Sequence, residues 1–216
     1  MKINILTLFP DFFTSPLRSS IVGKAPERVK IEIKVINIRE YAKDKHQTTD
    51  EPPYGGGAGM VMKVEPIDGA LAALGCAKGQ KDKKILLTSA KGERFTQQQA
   101  RHYSQLKELT IICGHYEGVD ERVAQHLIDQ EIRIGDYVLT GGEPAALAIL
   151  DATIRLIPGV LGNQASLQDE SHQVEGQLSY PQYTRPENYK GWQVPEVLLS
   201  GDHGRIEEWR KMMKIR

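Results

Sequence analysis

Two glycine-bearing turns contain the residues best suited to bind a small molecule. One is C-G-H-Y-E-G (residues 113–118) and the other is I-G-D-Y-V-L-T-G-G-E (residues 134–143), and each follows a β-branched, apolar run. Glycine lets another molecule approach the backbone closely, and ligands of open α/β sheets bind beyond the carboxyl ends of the strands. Either turn alone is better explained as an ordinary tight turn. Together they predict a pocket lined by backbone groups, with aromatic and acidic side chains beside it, namely Tyr116, Tyr137, Glu117, Asp136 and Glu143.

Charge is distributed unevenly along the chain, although the net charge is zero. Residues 110–151 hold two Lys/Arg against eight Asp/Glu, whereas residues 1–45 hold nine against five and residues 203–216 five against two. An acidic middle suits a cationic small molecule, and basic ends suit contacts with nucleic-acid phosphates. The alternative is that these runs are simply solvated surfaces.

Several common protein classes are disfavoured by what the sequence lacks. No G-x-G-x-x-G follows the first apolar run and no glycine loop ends in Lys-Ser/Thr, which argues against nucleotide dehydrogenases, P-loop enzymes and Rossmann-type methyltransferases. Cys76 and Cys113 are too few for a disulfide framework or a zinc site, so we expect a cytoplasmic protein. The apolar run 3–9 is too short for a signal peptide or a membrane span.

Strand-like and helix-like stretches alternate along the first 162 residues, which predicts an α/β fold with a parallel sheet and helices on both faces. The predicted strands are 3–9, 31–37, 85–88, 109–113 and 132–139, and the clearest helices are 96–107, 119–128 and 144–157. After Gly162 the sequence becomes polar and irregular. We therefore expect a domain at 1–162, a flexible linker or lid at 163–177, and a small, mostly helical domain at 178–216.

Five blocks of the chain resemble one family. They are CGHYEGVDERV (113–123), IGDYVLTGGE (134–143), YGGGAGM (54–60), PQYTRP (181–186) and HGRIEEWR (203–210). They resemble the bacterial tRNA (guanine-37-N1)-methyltransferases, the TrmD type of the SPOUT class of S-adenosylmethionine (SAM) enzymes. The resemblance spans nearly the whole chain in the right order. It implies a C-terminal trefoil knot in the methyltransferase domain, a feature that periodicity could not have revealed because knots are rare exceptions to fold rules.

The resemblance also implies what the protein does. It implies a cytoplasmic homodimer that places a methyl group on N1 of guanine 37, next to the tRNA anticodon, in an active site shared between subunits. Family members need magnesium, but the sequence offers no clustered ligand set, so no metal site is assigned. Two alternatives are a SPOUT enzyme that methylates ribosomal RNA or a ribose 2′-hydroxyl, and a non-catalytic RNA-binding module.

Three loops carry the cofactor in the family, and each has a counterpart here. The first follows the strand that begins at Ile85, the second lies in the first glycine turn, and the third in the second turn. The residues that the resemblance assigns to SAM are Thr88, Ser89 and Ala90; Gly114, Tyr116, Glu117 and Gly118; and Ile134, Gly135, Asp136, Tyr137, Val138, Leu139, Gly141 and Gly142. Ala90 stands where the family commonly has proline, which predicts a less rigid first loop.

Methylation of guanine N1 requires removal of its proton and stabilisation of the charge that develops on O6. A carboxylate is the natural base and a guanidinium the natural stabiliser. The resemblance assigns the guanidinium to Arg155. The family has an Asp just before a Ser in the linker, whereas this chain has Glu170 before Ser171 and Asp169 one residue earlier. We favour Glu170 as the base, with Asp169 and then His172 as alternatives.

Substrate contacts follow from the same resemblance. His46 and Asp50 precede the glycine-rich loop 54–60, which family members bring near the RNA, although a glycine-rich loop is equally often merely flexible. Arg185 is the candidate for a contact with the tRNA anticodon loop, and further cations are available at Arg205, Arg210 and Lys211. Many relatives continue beyond the position of Arg216, which we expect to affect RNA affinity rather than chemistry.

Overall fold

The computed structural model describes residues 1–163, 167 and 169–214 of the 216-residue chain. By its internal contacts the chain divides into two compact units, Met1–Gly162 and Asn163–Arg216. Within the predicted linker, residues 164–166 and 168 lie outside the described residues. The roles that the sequence analysis assigns to 1–162, 163–177 and 178–216 remain predictions.

A five-stranded parallel sheet forms the centre of the first unit, in the order β2-β1-β6-β5-β7. In chain order the strands are β1 Lys2–Thr7, β2 Glu32–Asn37, the short antiparallel pair β3 Asp50–Glu51 and β4 Val61–Met62, β5 Lys83–Arg94, β6 Glu108–Cys113 and β7 Gln130–Arg133. The α-helices are α1 Ser20–Arg28, α2 Val64–Leu74, α3 Gln97–Ser104 and α4 Glu143–Ile154. This architecture confirms the predicted α/β class with a central parallel sheet.

Side chains alternate between the two faces of the sheet, as the pleat of a strand requires. On β5, Leu86 belongs to a core cluster that includes α1 and α4, whereas Ile85 and Leu87 belong to a second cluster that includes α2. The same alternation separates Ile111 from Ile112 on β6. Each face of the sheet is therefore covered by helices, and buried strands of this kind read as continuous apolar runs.

Three strands end at positions other than those that the sequence predicts, and the first of them, β1, ends at Thr7 and not at residue 9. Strand β5 continues beyond Thr88 to Arg94, with a shift of register against β7 between Thr88 and Glu93. Gly92 allows this because a Cβ there would overlap the backbone of Ile132. Strand β7 ends at Arg133 and not at Leu139, because residues 134–142 leave the sheet to form a loop.

The helices that flank these loops also differ in detail. The predicted helix 119–128 is reduced to one π-helical turn, Val123–Leu127. Helix α4 starts at Glu143, with Pro144 in its first turn, and ends at Ile154 with Arg155 as its C-cap. Proline is favoured at a helix start because its missing N–H has no intrahelical partner to lose there.

The second unit contains a short antiparallel pair, β8 Asn188–Tyr189 and β9 Trp192–Gln193, and two helices, α5 Glu196–Leu199 and α6 His203–Met213. The Asp202 side chain caps α6 by accepting hydrogen bonds from the backbone N–H groups of Gly204 and Arg205 at 3.0 and 3.1 Å. Among the described residues of both units, no helix is long and apolar enough to cross a bilayer.

Candidate active site

A cavity of about 420 Å³ lies where β5, β6 and β7 reach the carboxyl edge of the sheet. Its wall is formed by the three loops that follow or interrupt these strands, as expected for an open α/β sheet. Every residue that the resemblance assigns to SAM lines this cavity except Asp136: they are Thr88, Ser89, Ala90, Gly114, Tyr116, Glu117, Gly118, Ile134, Gly135, Tyr137, Val138, Leu139, Gly141 and Gly142. The structure thus brings the three predicted loops together, while their contact with a cofactor stays a prediction.

Direct backbone contacts connect the three loops. Gly142 N donates to Gly114 O at 2.7 Å, and Gly114 N donates to Thr88 Oγ1 at 3.1 Å. A Cβ on Gly142 would overlap Thr88 Oγ1 and would lie 2.8 Å from Gly114 N. Only glycine fits between these segments, because no real Cβ approaches backbone atoms so closely.

His115 and Glu143 support the third loop, and the sequence analysis did not assign His115 a role. His115 forms an antiparallel bridge with Gly141, and its ring centroid lies 4.8 Å from those of both Phe9 and Tyr116. Glu143 is only 4% exposed, and its Oε1 accepts a hydrogen bond from Thr7 Oγ1 at 2.7 Å. A Cβ on Gly141 would overlap Glu143 Oε2 and lie 2.5 Å from His115 Nδ1.

Four further charged residues line the cavity and were not predicted, namely Lys91, Glu121, Glu131 and Arg133. Lys91 Nζ lies 2.6 Å from Glu121 Oε2 and 3.8 Å from Glu131 Oε1. Arg133 Nε donates to Asp136 Oδ1 at 2.8 Å, and this hydrogen bond holds the pKa of Asp136 below its usual range. Lysine and glutamate on separate elements give no pairing signal in the sequence, which is why these contacts could not be found there.

The glycine-rich loop 54–60 is connected to the second cofactor loop. Glu117 N donates to Met60 O at 3.0 Å, and a Cβ on Gly59 would lie 2.7 Å from Glu117 Oε1. Strand β4, which follows this loop, pairs with β3, in which Asp50 lies opposite Met62. The predicted substrate residue Asp50 is therefore connected to the cavity wall through β3, β4 and the loop 54–60. His46, in contrast, lies in an exposed turn that Asp44 stabilises.

Arg155 does not line the cavity of its own chain. The cavity lies at the N-terminal end of α4, where Ala145 contributes to its wall, and Arg155 follows the last residue of that 12-residue helix. A helix of this length rises by about 18 Å from end to end. The backbone of Arg155 therefore lies at the end of α4 remote from the cavity.

The three candidate bases lie in the second unit. Asp169 Oδ1 accepts from Lys214 Nζ at 2.8 Å. Glu170 is partly buried, and His172, with φ of +64°, donates its backbone N–H to Gln177 O at 2.6 Å. The three residues are adjacent in the chain, so the structure does not by itself choose among them.

Arg185 lines a separate cavity of about 350 Å³ within the second unit. The same cavity includes Trp209 and Arg210, and the guanidinium carbon of Arg210 lies 5.0 Å from the centroid of the Tyr180 ring. Across the part of the chain that the structure describes, no three His, Cys, Asp or Glu residues are grouped so that they could hold a metal ion.

Comparisons with known proteins agree with this geometry. The family model described as tRNA (Guanine-1)-methyltransferase TrmD matches residues 1–216. The tRNA (guanine-N(1)-)-methyltransferase of Carboxydothermus hydrogenoformans is 53% identical over 215 residues, which cover 100% of this chain and 83% of the relative. The enzymes of the same name from Bacillus subtilis and Ruminiclostridium cellulolyticum are 51% and 49% identical, with 88% and 91% of their lengths covered and 100% of this chain in each case. The resemblance found in the five sequence blocks is confirmed, and the chain belongs to the TrmD family of tRNA (guanine-1)-methyltransferases.

Proposed function

We propose that the protein transfers a methyl group from SAM to N1 of guanine 37 in tRNA. One observation carries the proposal: the loops that the family uses for its cofactor form a single cavity at the carboxyl edge of the sheet, in a chain that matches the family over its whole length. A SPOUT enzyme for another RNA, or a non-catalytic RNA-binding module, would not need the full set of TrmD blocks.

The cavity fits a SAM-type methyl donor in size and charge. Its volume falls in the usual range for small-molecule sites, and its glycines expose backbone N–H and C=O groups that can read an adenine edge. Glu117, Glu121 and Glu131 on the wall suit a ligand that carries a sulfonium and an ammonium group. When bound, the cofactor supplies the electrophilic methyl group.

The contact between the three loops also supports the trefoil knot that the family implies. Residues 134–142 pass so close to Thr88 and Gly114 that only glycine is accommodated at Gly142. We propose that this crossing belongs to the knot and that the cofactor binds within it. Replacement of the crossing glycine would then disturb the cofactor site directly.

We propose Glu170 as the base that removes the N1 proton. It holds the position directly before Ser171, where the family has its Asp. The Arg155 guanidinium stabilises the negative charge on O6 as the proton leaves. A magnesium requirement remains an expectation from the family, without an assigned site.

The distance between Arg155 and the cavity of its own chain supports a homodimer in which each active site is shared. Several large hydrophobic side chains on or beside the cavity wall are exposed, including Phe9, Tyr116, Tyr137, Leu139 and Val138, the last at 84%. Exposed apolar residues that cluster around a binding site are typical of interaction surfaces. A second copy would cover them and would bring its own Arg155 or Glu170 to the site.

The tRNA anticodon loop is the proposed substrate, with guanine 37 unstacked so that it reaches the cavity. His46 and Asp50 are proposed to contact the loop, and Arg185 and the basic residues of 178–216 its phosphates. Residues 163–177 would then act as the lid of the site. Because the substrate is tRNA, we propose that the protein acts in the cytoplasm.

The proposal is tested by methyl transfer from labelled SAM to an unmodified tRNA transcript, followed by mapping of the methylated base. We expect 1-methylguanosine at position 37 and no product when that guanine is replaced by adenine. A methyl group on a ribose hydroxyl, or transfer to ribosomal RNA alone, would support the other SPOUT activities. Absence of SAM binding in calorimetry would support the RNA-binding module.

A further inference from the structure

Lys91 connects the three walls of the candidate cofactor cavity. It follows the first loop on β5, and its Nζ lies 2.6 Å from Glu121, which follows the second loop, and 3.8 Å from Glu131 on β7, which precedes the third. All three side chains line the cavity. The hydrogen bond with Glu121 raises the pKa of Lys91, so the lysine stays charged throughout the physiological range. The family resemblance assigns none of these three residues a role.

Fixed charge on this wall distinguishes two ligands that are otherwise almost identical. SAM carries a sulfonium, and its demethylated product S-adenosylhomocysteine carries a neutral thioether, while the adenosine and the amino-acid groups are the same in both. A fixed charge near the cavity therefore acts on both ligands alike, apart from the single charge at sulfur. The difference between their affinities isolates that electrostatic contribution.

The other charged residues on the wall are arranged differently. Arg133 is held by the Asp136 carboxylate and the Gly92 carbonyl, and Glu117 packs against Gly59. Lys91 is the lysine that lines the cavity among the described residues, and its two carboxylates belong to two different elements. A substitution that removes the Lys91 charge therefore removes the cation that offsets these two carboxylates.

We propose that Lys91, Glu121 and Glu131 form a charge-selective rim that sets the preference of the cavity for the sulfonium donor over the neutral product. The two carboxylates favour the cationic donor. Lys91 offsets part of their charge, so it limits that preference. The inference rests on the proposed SAM site and assigns specificity within it. Its consequence for the reaction is that the rim helps the product to leave, because the product lacks the charge that the carboxylates attract.

The test compares the dissociation constants of SAM and S-adenosylhomocysteine, measured by calorimetry on the full chain. Lys91→Met keeps the length of the side chain but removes its charge, and we expect the preference for SAM to rise about threefold to tenfold. Glu131→Gln should lower the preference by a similar factor. Both effects should shrink at high salt, because the rim is partly exposed.

Lys107→Met is the matched control, since Lys107 is also an exposed lysine, in an ion pair with Asp82 at 3.0 Å, and does not line the cavity. It should leave the preference unchanged. If Lys91→Met and Glu131→Gln weaken the affinities for both ligands by the same factor, the two residues only support the wall. That result would overturn the proposed rim but leave the SAM site in place. If the wild-type protein binds neither ligand, the SAM site and the rim are both overturned.

Discussion

The candidate cofactor cavity and the turn that carries Glu170 are stabilised by different kinds of contact. At the cavity, backbone groups meet directly, as between Gly142 and Gly114, and glycine is required because no side chain fits. At the turn, side-chain contacts add to the backbone hydrogen bond from His172 to Gln177: Lys214 holds Asp169, and Ser171 Oγ accepts from Ser179 N at 3.0 Å. The first arrangement suits a rigid ligand site, and the second suits a segment that can change its contacts when substrate binds.

The two units that contain these regions differ in the same way. The first unit has two extended hydrophobic clusters, one on each face of its sheet. In the described part of the second unit, Trp209 is the one hydrophobic side chain that is less than a tenth exposed. Small domains have little apolar surface to bury, so caps and ion pairs supply more of their local order. Mutations should accordingly separate ligand binding, chemistry and stability.

The largest effect is expected from Gly141→Val. A side chain at this position overlaps Glu143 Oε2 and His115 Nδ1, so the third loop must move and SAM affinity should fall by at least about 100-fold, equivalent to about 2.7 kcal/mol. Circular dichroism and the urea midpoint should show that the sheet remains folded. Gly162→Val is the control, because no atom lies within 4 Å of a Cβ there. Unchanged SAM affinity in Gly141→Val would remove this glycine from the site.

The second-largest effect is expected on the rate of methyl transfer and not on the binding of SAM or tRNA. Glu170→Gln should keep the affinities for SAM and tRNA and should lower the single-turnover rate by about 10²–10⁴-fold, the usual contribution of a general base. Asp169→Asn, the matched change next to it, should cost little. The acidic limb of the pH–rate profile should disappear in Glu170→Gln alone.

The reverse pattern would assign the base to Asp169. If both variants retain nearly full rates, neither carboxylate removes the proton, and His172 becomes the candidate to substitute next.

A third experiment tests whether Arg155 and Glu170 of one active site come from different chains. Arg155→Ala and Glu170→Ala should each be inactive alone. In an equal mixture that exchanges subunits, half of the dimers are mixed and each has one intact site, so about a quarter of the activity should return. No recovery despite proven exchange would mean that one chain supplies both residues, and a monomer in sedimentation would exclude the shared site.

The sequence was sufficient to predict the parts of the fold that depend on local patterns. The alternation of apolar runs predicts the parallel sheet, and Thr96 caps α3 in a reciprocal arrangement with Gln99, as its position before the helix indicates. The residues of the three cofactor loops came from the family resemblance, and the structure brings all but Asp136 to one cavity wall.

The features that the sequence could not predict are side-chain pairs and strand ends that depend on contacts between residues far apart in the chain. Thr7 and Glu143 are 136 positions apart, and Lys91 and Glu121 are 30 apart. The extension of β5 past Thr88 follows from the packing of Gly92 against β7, which no local propensity encodes. Tertiary packing overrides strand preference at such places.

The smallest effect is expected at the opposite edge of the sheet, where a buried polar cluster serves stability and not binding. Glu108 is 8% exposed; its carboxylate accepts from Asn4 Nδ2 at 2.9 Å and lies 3.0 Å from Lys83 Nζ. Burial raises the pKa of Glu108, but hydrogen bonds from Lys83, Cys76 and Asn4 outweigh it, so the pKa is lowered overall. We expect Glu108→Gln to lower the free energy of unfolding by about 1–2 kcal/mol at neutral pH and to leave SAM affinity unchanged.

The direction of the pKa shift of Glu108 determines how the loss of unfolding free energy in Glu108→Gln depends on pH. Because the folded-state pKa of Glu108 is lowered, its contribution is fully present above the unfolded-state value of about 4.3 and is lost as the pH falls through the folded-state value. Urea titrations should therefore show a difference in the free energy of unfolding between wild type and Glu108→Gln that is constant near neutral pH and disappears in acid. The exposed Glu32, paired with Lys34 at 3.0 Å, supplies the control: its pKa is also lowered by the hydrogen bond with Lys34, but solvent screens the pair, so Glu32→Gln should change the free energy of unfolding much less than Glu108→Gln. A difference that persists in acid would mean that the Glu108 side chain stabilises this edge of the sheet through packing and not through its charge. A loss of SAM affinity in Glu108→Gln would show that the two edges of the sheet are coupled.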